Sequence, residues 1–212
     1  MLIHERRAWK DGFLQVAGVD EAGRGPLAGP VTAAAVLFRA QTLRSAKQRI
    51  PWDELNDSKQ LTEKKREQLF EALTTTPSVR WAVVSVDPEE IDRINILRAT
   101  HLAMARALEQ LLEGDPAPDL ALVDGLPVKG LPLEHRAIVK GDSASLSIAA
   151  ASIIAKVTRD RFMVDLASAF PEYGFERHKG YGTKLHMAAL KEHGPCLHHR
   201  RSFRPVAQME LF

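Results

Sequence analysis

Residues 14–30, Leu-Gln-Val-Ala-Gly-Val-Asp-Glu-Ala-Gly-Arg-Gly-Pro-Leu-Ala-Gly-Pro, constrain the chain more than any other stretch. An apolar run ends in two adjacent acids, and glycines then surround one arginine. Leu14 to Val19 have the length and β-branched content of a buried strand, while Gly23, Gly25 and Gly29 supply positions that no side chain obstructs. Asp20 and Glu21 therefore fall at a strand end. Adjacent buried carboxylates raise one another's pKa and desolvation raises both, so a cation is the natural compensation. Hard oxygen ligands favour Mg2+ or Mn2+. Neighbouring side chains on a strand point to opposite faces, so the two acids can share one ion only if the backbone leaves the strand at Glu21. A plain acidic turn is the competing reading, and the Gly-Arg-Gly sequel weighs against it.

A chain of 212 residues with 45% hydrophobic content is large enough for one domain with a full core. Its formal charge of +2 permits a nucleic-acid partner without demanding one. The single cysteine, Cys196, excludes an intrachain disulfide framework and any multi-cysteine zinc site, as suits a reducing cytosol. No signal peptide or membrane span is expected, because Met1 to Gly12 is polar and no apolar run approaches about 18 residues. A cytoplasmic monomer is the resulting expectation.

Val31 to Phe38 reads as a second strand, antiparallel to the first across the Gly/Pro loop. Residues 39–60 read as a basic connector that ends in Asn-Asp-Ser-Lys at 56–59. Thr62 is placed to cap a helix with Leu69, Phe70 and Leu73 inside and Lys64, Lys65 and Arg66 outside, a basic flank suited to phosphates. Trp81 to Val86 is a strand. Asp87-Pro-Glu-Glu should open a helix, with Asp87 as N-cap and Glu90 closing a capping box, running unbroken to Gly114. Leu120 to Val123 and Ala137 to Val139 are short strands that run into Asp124-Gly and Lys140-Gly-Asp-Ser. Ala144 to Phe170 is helical, with small residues for close approach to a sheet, and Lys156 should pair with Asp160. A last helix reaches about His193, followed by the basic run 198–201.

Three strand ends thus deliver Asp20 with Glu21, Asp124 and Asp142, and sheet ends are where sites assemble in α/β folds. For Asp142 alone, capping the next helix is the simpler role. Together, four carboxylates suit two metal ions that activate water and stabilise an in-line displaced phosphate, which is phosphodiester hydrolysis. No Ser-His-Asp grouping is implied, and the histidines after position 178 have no zinc spacing.

Gly-Val-Asp-Glu-Ala-Gly-Arg-Gly-Pro at 18–26 resembles the signature of type 2 ribonuclease H, ribonuclease HII. So do Asn-Asp-Ser-Lys at 56–59, Val-Asp-Gly at 123–125, Lys-Gly-Asp-Ser at 140–143, the run 149–160 and His-Lys-Gly-Tyr at 178–181. These segments follow the family's order across roughly residues 14–204. The resemblance implies an α/β ribonuclease H-like fold, a central mixed β-sheet flanked by helices, with a catalytic domain over 1–204 and a helical extension from about 171. It implies metal-dependent cleavage of RNA in RNA–DNA hybrids and 5′ to ribonucleotides embedded in duplex DNA, leaving 5′-phosphate and 3′-hydroxyl ends, with a role in ribonucleotide removal during repair and replication. Asp20, Glu21, Asp124 and Asp142 match the family's metal-binding acids. Gly23, Arg24 and Gly25 match its 2′-hydroxyl-sensing loop, where glycines let backbone groups approach the ribose. Tyr181 matches the tyrosine that stacks on the neighbouring deoxyribose. Lys59, Lys179 and Lys184 are phosphate-contact candidates, with ordinary solvated lysines as the alternative.

The tail, 205–212, ends in Gln208-Met-Glu-Leu-Phe and resembles the peptide with which bacterial repair proteins dock into the sliding clamp. Gln208, Leu211 and Phe212 are its specified residues, with Met209 a mild departure. The alternative is a tail packed on its own domain. Two rival functions remain. A dinucleotide-binding glycine loop should open directly into a helix and lack preceding acids, and a non-catalytic hybrid-binding module should have lost some of the four carboxylates.

Overall fold

The computed structural model describes residues 1–38 and 54–209. Five strands form one mixed sheet: β1 (Val16–Ala22), β2 (Val31–Phe38), β3 (Val79–Val86), β4 (Leu120–Asp124) and β5 (His135–Ile138), in the order β3-β2-β1-β4-β5. Pairs β1–β2 and β2–β3 are antiparallel, whereas β1–β4 and β4–β5 are parallel. The parallel half brings the C-terminal ends of β1, β4 and β5 to the same edge of the sheet.

Every residue of β2 is buried, which a central strand covered on both faces requires. One face carries α4 (Ile96–Leu112), whose Ala99, Ala103, Met104, Ala107, Leu108 and Leu111 pack on the sheet. The other carries α5 (Leu146–Ala169), flanked by α2 (Glu63–Thr75) through buried Leu69 and Leu73. Burying each such leucine contributes roughly 1.5–3 kcal/mol. The first half of α5 is alanine-rich because it lies hard against β1. A Cβ on Gly18 would come within 2.0 Å of the Ser147 backbone, so that crossing tolerates no side chain. The N-terminal helix α1 (Ile3–Lys10) closes the β4 side through Ala8.

After α5 come a 3-10 turn at Pro171–Tyr173, α6 (Phe175–His178), α7 (Lys184–His193) and α8 (Arg204–Met209). Together with Leu27, Ala28 and Met163 they form a separate apolar cluster around Phe175 and Leu190. Val206 of α8 is fully buried there, so the chain remains packed past residue 205.

Several local expectations change. β1 continues through Asp20 and Glu21 to Ala22, paired with β2 throughout, so the backbone does not leave the strand at Glu21. The helix expected from 88 to Gly114 breaks into α3 (Pro88–Ile94) and α4 at Asn95, which has φ 70° and caps α4 by accepting the Arg98 N–H. With φ 70° and ψ 160° the backbone at Asn95 cannot continue the helix, and its side chain offers the capping oxygen for the next one. Asp87 takes the N-cap position without a side-chain bond, and Glu90 pairs with Arg93 instead of closing a box. Strand β5 begins two residues earlier than expected and leaves Val139 exposed. The basic flank of α2 is already engaged: Arg66 donates to the carbonyls of Ser58 and Leu61, and Lys65 pairs with Glu54. Thr62 caps α2 and Lys156 pairs with Asp160 as anticipated. Most of the 39–60 connector lies outside the described residues.

Candidate active site

Asp20 stands one residue beyond the registered pair Val19–Val123, beside Asp124 on the neighbouring parallel strand. Asp142 arrives on a 3-10 turn, Gly141–Ser143, which the left-handed Lys140 starts. The Gly141 N–H donates to Asp124 Oδ1 at 2.7 Å, and the Glu21 N–H donates to Asp20 Oδ1 at 2.7 Å. Oxygen atoms of Asp20, Asp124 and Asp142 all lie within 4.8 Å of one another. Helix capping is not the role of Asp142, because Ser145 caps α5.

The electrostatics are those of a frustrated anion cluster. Burial pushes the Asp20 carboxyl well above its usual range, and the charges of Glu21, Asp124 and Asp142 push it further. Burial and then Asp124 and Asp57 raise Asp142. Like charges in a desolvated pocket repel strongly unless a cation is present. Three hard oxygen donors at this spacing fit a divalent ion.

Glu21 is not among the three carboxylates whose oxygens lie within 4.8 Å of one another, although its charge acts on both Asp20 and Asp124. Its Oε1 meets Arg24 Nη1 at 3.3 Å, and burial holds its carboxyl above the usual value despite that partner. Lys59 stands beside the acids. Burial alone would lower its ammonium, but Asp20, Asp57, Asp142 and Asp124 together hold it above the ordinary value.

The glycine loop is built on two buried arginines. Gly23 has φ +94°, and a Cβ there would come within 2.1 Å of Arg159 Nε. Arg159 donates to the carbonyls of Pro30 and Ala28, and Arg200 to those of Gly23, Arg24 and Gly29. Arg24 and Gly25 remain exposed. A Cβ on Gly25 would sit 3.6 Å from the ring of Tyr181, which is 45% exposed. Loop and tyrosine therefore form one surface.

Within this frame, the comparisons with known proteins are decisive. The family model described as Ribonuclease HII matches residues 17–206. The chain belongs to the ribonuclease HII family. A Ribonuclease HII of Cereibacter sphaeroides is 57% identical over 205 residues, covering 96% of this chain and 90% of that protein. The crystal structure of the ribonuclease H2 from Pyrococcus horikoshii matches with a TM-score of 0.75 at 30% identity, over 93% of this chain and 97% of that one. The PCNA:RNase HII complex from Archaeoglobus fulgidus matches at 0.71 and 28% identity, over 90% and 95%. The fold is ribonuclease H-like, and the chain is an endoribonuclease of a family that depends on divalent metal and acts on RNA–DNA hybrids.

The structure thus gathers Asp20, Asp124 and Asp142 closely, with Glu21 and Lys59 beside them, and joins Gly23, Arg24 and Gly25 to Tyr181. Lys179 adopts a left-handed conformation and its ammonium donates to the Glu176 carbonyl. Lys184 lies exposed in the first turn of α7. Gln208 is exposed on α8, whereas Leu211 and Phe212 lie outside the described residues. Asp57, Arg159 and Arg200 escaped the reading of the sequence. In the basic run 198–201, His199 and Arg200 are fully buried. Nothing local marks an arginine as a clamp for carbonyls more than 170 residues away.

Proposed function

We propose that the enzyme cuts on the 5′ side of a ribonucleotide embedded in duplex DNA as well as within RNA–DNA hybrids. The observation that carries this reading is that the exposed Gly25 faces the Tyr181 ring, which a Cβ at that position would meet at 3.6 Å, just past the strand that carries Asp20 of the carboxylate cluster. Exposed backbone at Arg24 and Gly25, shaped by the buried turn at Gly23, can approach a ribose 2′-hydroxyl, the group that separates RNA from DNA. Tyr181 next to it offers an aromatic face to the following deoxyribose, so a ribose-to-deoxyribose junction is read as a unit. Lys59 neutralises the neighbouring phosphate, and Lys179 and Lys184 lie along the strand beyond Tyr181. Asp20, Asp124 and Asp142 would hold a divalent ion, Mg2+ or Mn2+, and Glu21 would supply the fourth carboxylate of a two-ion set. Bound there, such ions lower the pKa of the attacking water and neutralise charge on the phosphate. Water oxygen joins phosphorus as the bond to the 3′-oxygen breaks, leaving 3′-hydroxyl and 5′-phosphate ends, the first step of ribonucleotide removal. Incubation of a duplex with one ribonucleotide under Mg2+ and under Mn2+ tests this, with mapped ends. Intact substrate under both ions would sink it.

The Archaeoglobus fulgidus relative was solved with PCNA. By the same logic Gln208, Leu211 and Phe212 dock into the bacterial sliding clamp. Because Met209 packs on the extension, Leu211→Ala with Phe212→Ala is the cleaner variant. It should abolish clamp capture at unchanged activity on short duplexes, and capture that persists would refute the docking.

A further inference from the structure

Beneath Tyr181 lies a buried chain of imidazoles that the chemistry above does not use. The Cys196 backbone N–H donates to His199 Nδ1 at 3.0 Å, with the Cys196 Sγ at 3.2 Å from the same nitrogen. A backbone N–H can only donate, so His199 Nδ1 accepts and its proton sits on Nε2. That Nε2 lies 2.9 Å from His186 Nε2, which must then accept. The His186 proton is therefore on Nδ1, which donates to the Tyr181 carbonyl at 3.0 Å. His178 stacks on His186 with centroids 4.5 Å apart. It accepts the Gly180 N–H on Nδ1 and donates from Nε2 to the Tyr173 carbonyl. Every ring nitrogen thus has a partner and a single sense, donor or acceptor. His186 and His199 are both held neutral, with burial the main cause.

The other end of this chain reaches the glycine loop. Ala28 and His199 form an antiparallel bridge. The Arg200 N–H donates to the Leu27 carbonyl, the Gly29 N–H to the His198 carbonyl, and the Leu27 N–H to the Gly180 carbonyl. Arg200 itself clamps Gly23, Arg24 and Gly29. Residues 196–200 are thus bonded on one side to the loop at 23–29 and on the other, through two imidazoles, to Tyr181.

We propose that His199 and His186 are positioning residues that hold Tyr181 in register with the Gly23–Gly25 loop, so that they set the preference for a ribose-to-deoxyribose junction over uniform hybrid. The inference rests on the junction reading proposed above. Its geometric content is that Tyr181 is exposed and carried on a short connection between α6 and α7, where its carbonyl accepts from the Thr183 N–H and from the His186 ring, and the His186 bond is the one that ties it to residues 196–200.

The test compares kcat/KM on a lone-ribonucleotide duplex with that on a long hybrid. His199→Asn keeps an acceptor at the Nδ1 position but loses the donor to His186, whereas His199→Gln keeps a donor at the Nε2 position. The ratio should fall about tenfold in His199→Asn and less than about threefold in His199→Gln, with no further fall when His199→Asn is added to Tyr181→Ala. Equal loss on both substrates, or additivity with Tyr181→Ala, would overturn the relay. A wild-type enzyme that spares lone ribonucleotides overturns the junction reading and the relay with it. A ratio that responds to Tyr181→Ala but not to His199→Asn overturns the relay alone. If His199→Asn does not fold, nitrogen-15 spectra of the wild-type imidazoles decide. The relay requires protonated Nε2 on His199 and protonated Nδ1 on His186, and any other tautomer on either ring refutes it.

Discussion

Asp124 accepts the Gly141 N–H at 2.7 Å, and this bond ties the end of β4 to the turn that carries Asp142. The bond fixes the separation of two carboxylates that repel one another. The parallel pairing of β1 with β4 fixes Asp20 beside them. Backbone, not side-chain attraction, therefore assembles the anion cluster, and the repulsion stored in it is available for a cation to relieve.

Replacing one of these acids should separate stability from activity. Asp20 is 6% exposed and its charged form is disfavoured by burial and by three neighbouring acids. Asp20→Asn keeps the oxygen that accepts the Glu21 N–H and removes the charge. Turnover should fall below about one thousandth of wild type. The metal-free variant should melt higher than metal-free wild type, with each kcal/mol gained raising the Tm by about 2–4 °C. Adding Mn2+ should raise the wild-type Tm and leave the variant nearly unmoved, because an ion that binds only the folded state stabilises it. A cleavage assay checks the first outcome, and thermal melts with and without metal check the other two.

The two glycines of the Gly-Arg-Gly loop should respond differently to the same methyl. At Gly23 a Cβ collides with the buried Arg159 side chain in a left-handed conformation, so Gly23→Ala should cost about 2–4 kcal/mol of stability. At Gly25 the nearest atom is the Tyr181 ring at 3.6 Å and φ is ordinary. Gly25→Ala should therefore melt within about 0.5 kcal/mol of wild type while losing cleavage, because the methyl occupies the surface between loop and tyrosine. A Gly25→Ala enzyme with full activity would remove that surface from substrate contact.

What the sequence announced and what it concealed follow from range. Asp20, Asp124 and Asp142 each end an apolar run, so their convergence could be anticipated from strand pattern. The strand through Glu21 could not be, since its pairing with Ala33 on β2 is a tertiary fact that overrides the break implied by two acids. The break at Asn95 was hidden because one asparagine inside a strong helical period carries little weight against propensity. Arg200 and His199 were concealed for a further reason. Basic residues in a row normally lie in solvent, but Arg200 is buried where loop carbonyls more than 170 positions earlier accept its donors, and His199 where His186 and Cys196 take up its ring nitrogens.

The imidazole pair should leave a mark on the pH dependence of stability. His186 and His199 are lowered to about 4 in the folded protein, chiefly by burial, against an ordinary value of about 6.5. Between those limits the unfolded chain binds protons that the folded chain refuses. Stability from these groups is thus complete above about pH 6.5 and is lost as the pH falls toward 4, at up to roughly 1.4 kcal/mol per proton per pH unit. Urea denaturation at pH 7, 6 and 5 should show this slope in wild type and a shallower one in His186→Gln. Parallel slopes would mean that other groups carry the acid sensitivity.

The N-terminal helix should matter to the active site through one carboxylate. Glu5 is buried, and its Oε1 accepts from Ser145 Oγ at 2.6 Å, Ser147 Oγ at 2.9 Å and the Ser147 N–H at 3.0 Å. These partners form the first turn of α5, where the orphan N–H groups of a helix favour negative charge. Ser145 lies three residues beyond Asp142, and its N–H also donates to the Gly141 carbonyl at 2.7 Å. Loss of Glu5 therefore loosens the turn that aims Asp142. Glu5→Ala should cost about 2–4 kcal/mol, because it removes a charged acceptor and leaves buried donors unsatisfied. Glu5→Gln, which keeps an acceptor oxygen, should cost less. The activity loss in Glu5→Ala should be partly restored by raising the Mn2+ concentration, since a misplaced Asp142 weakens metal affinity before it abolishes chemistry. Titration of activity against Mn2+ at a temperature well below each variant's Tm separates the two effects, and a loss that no metal concentration repairs would confine Glu5 to holding the fold.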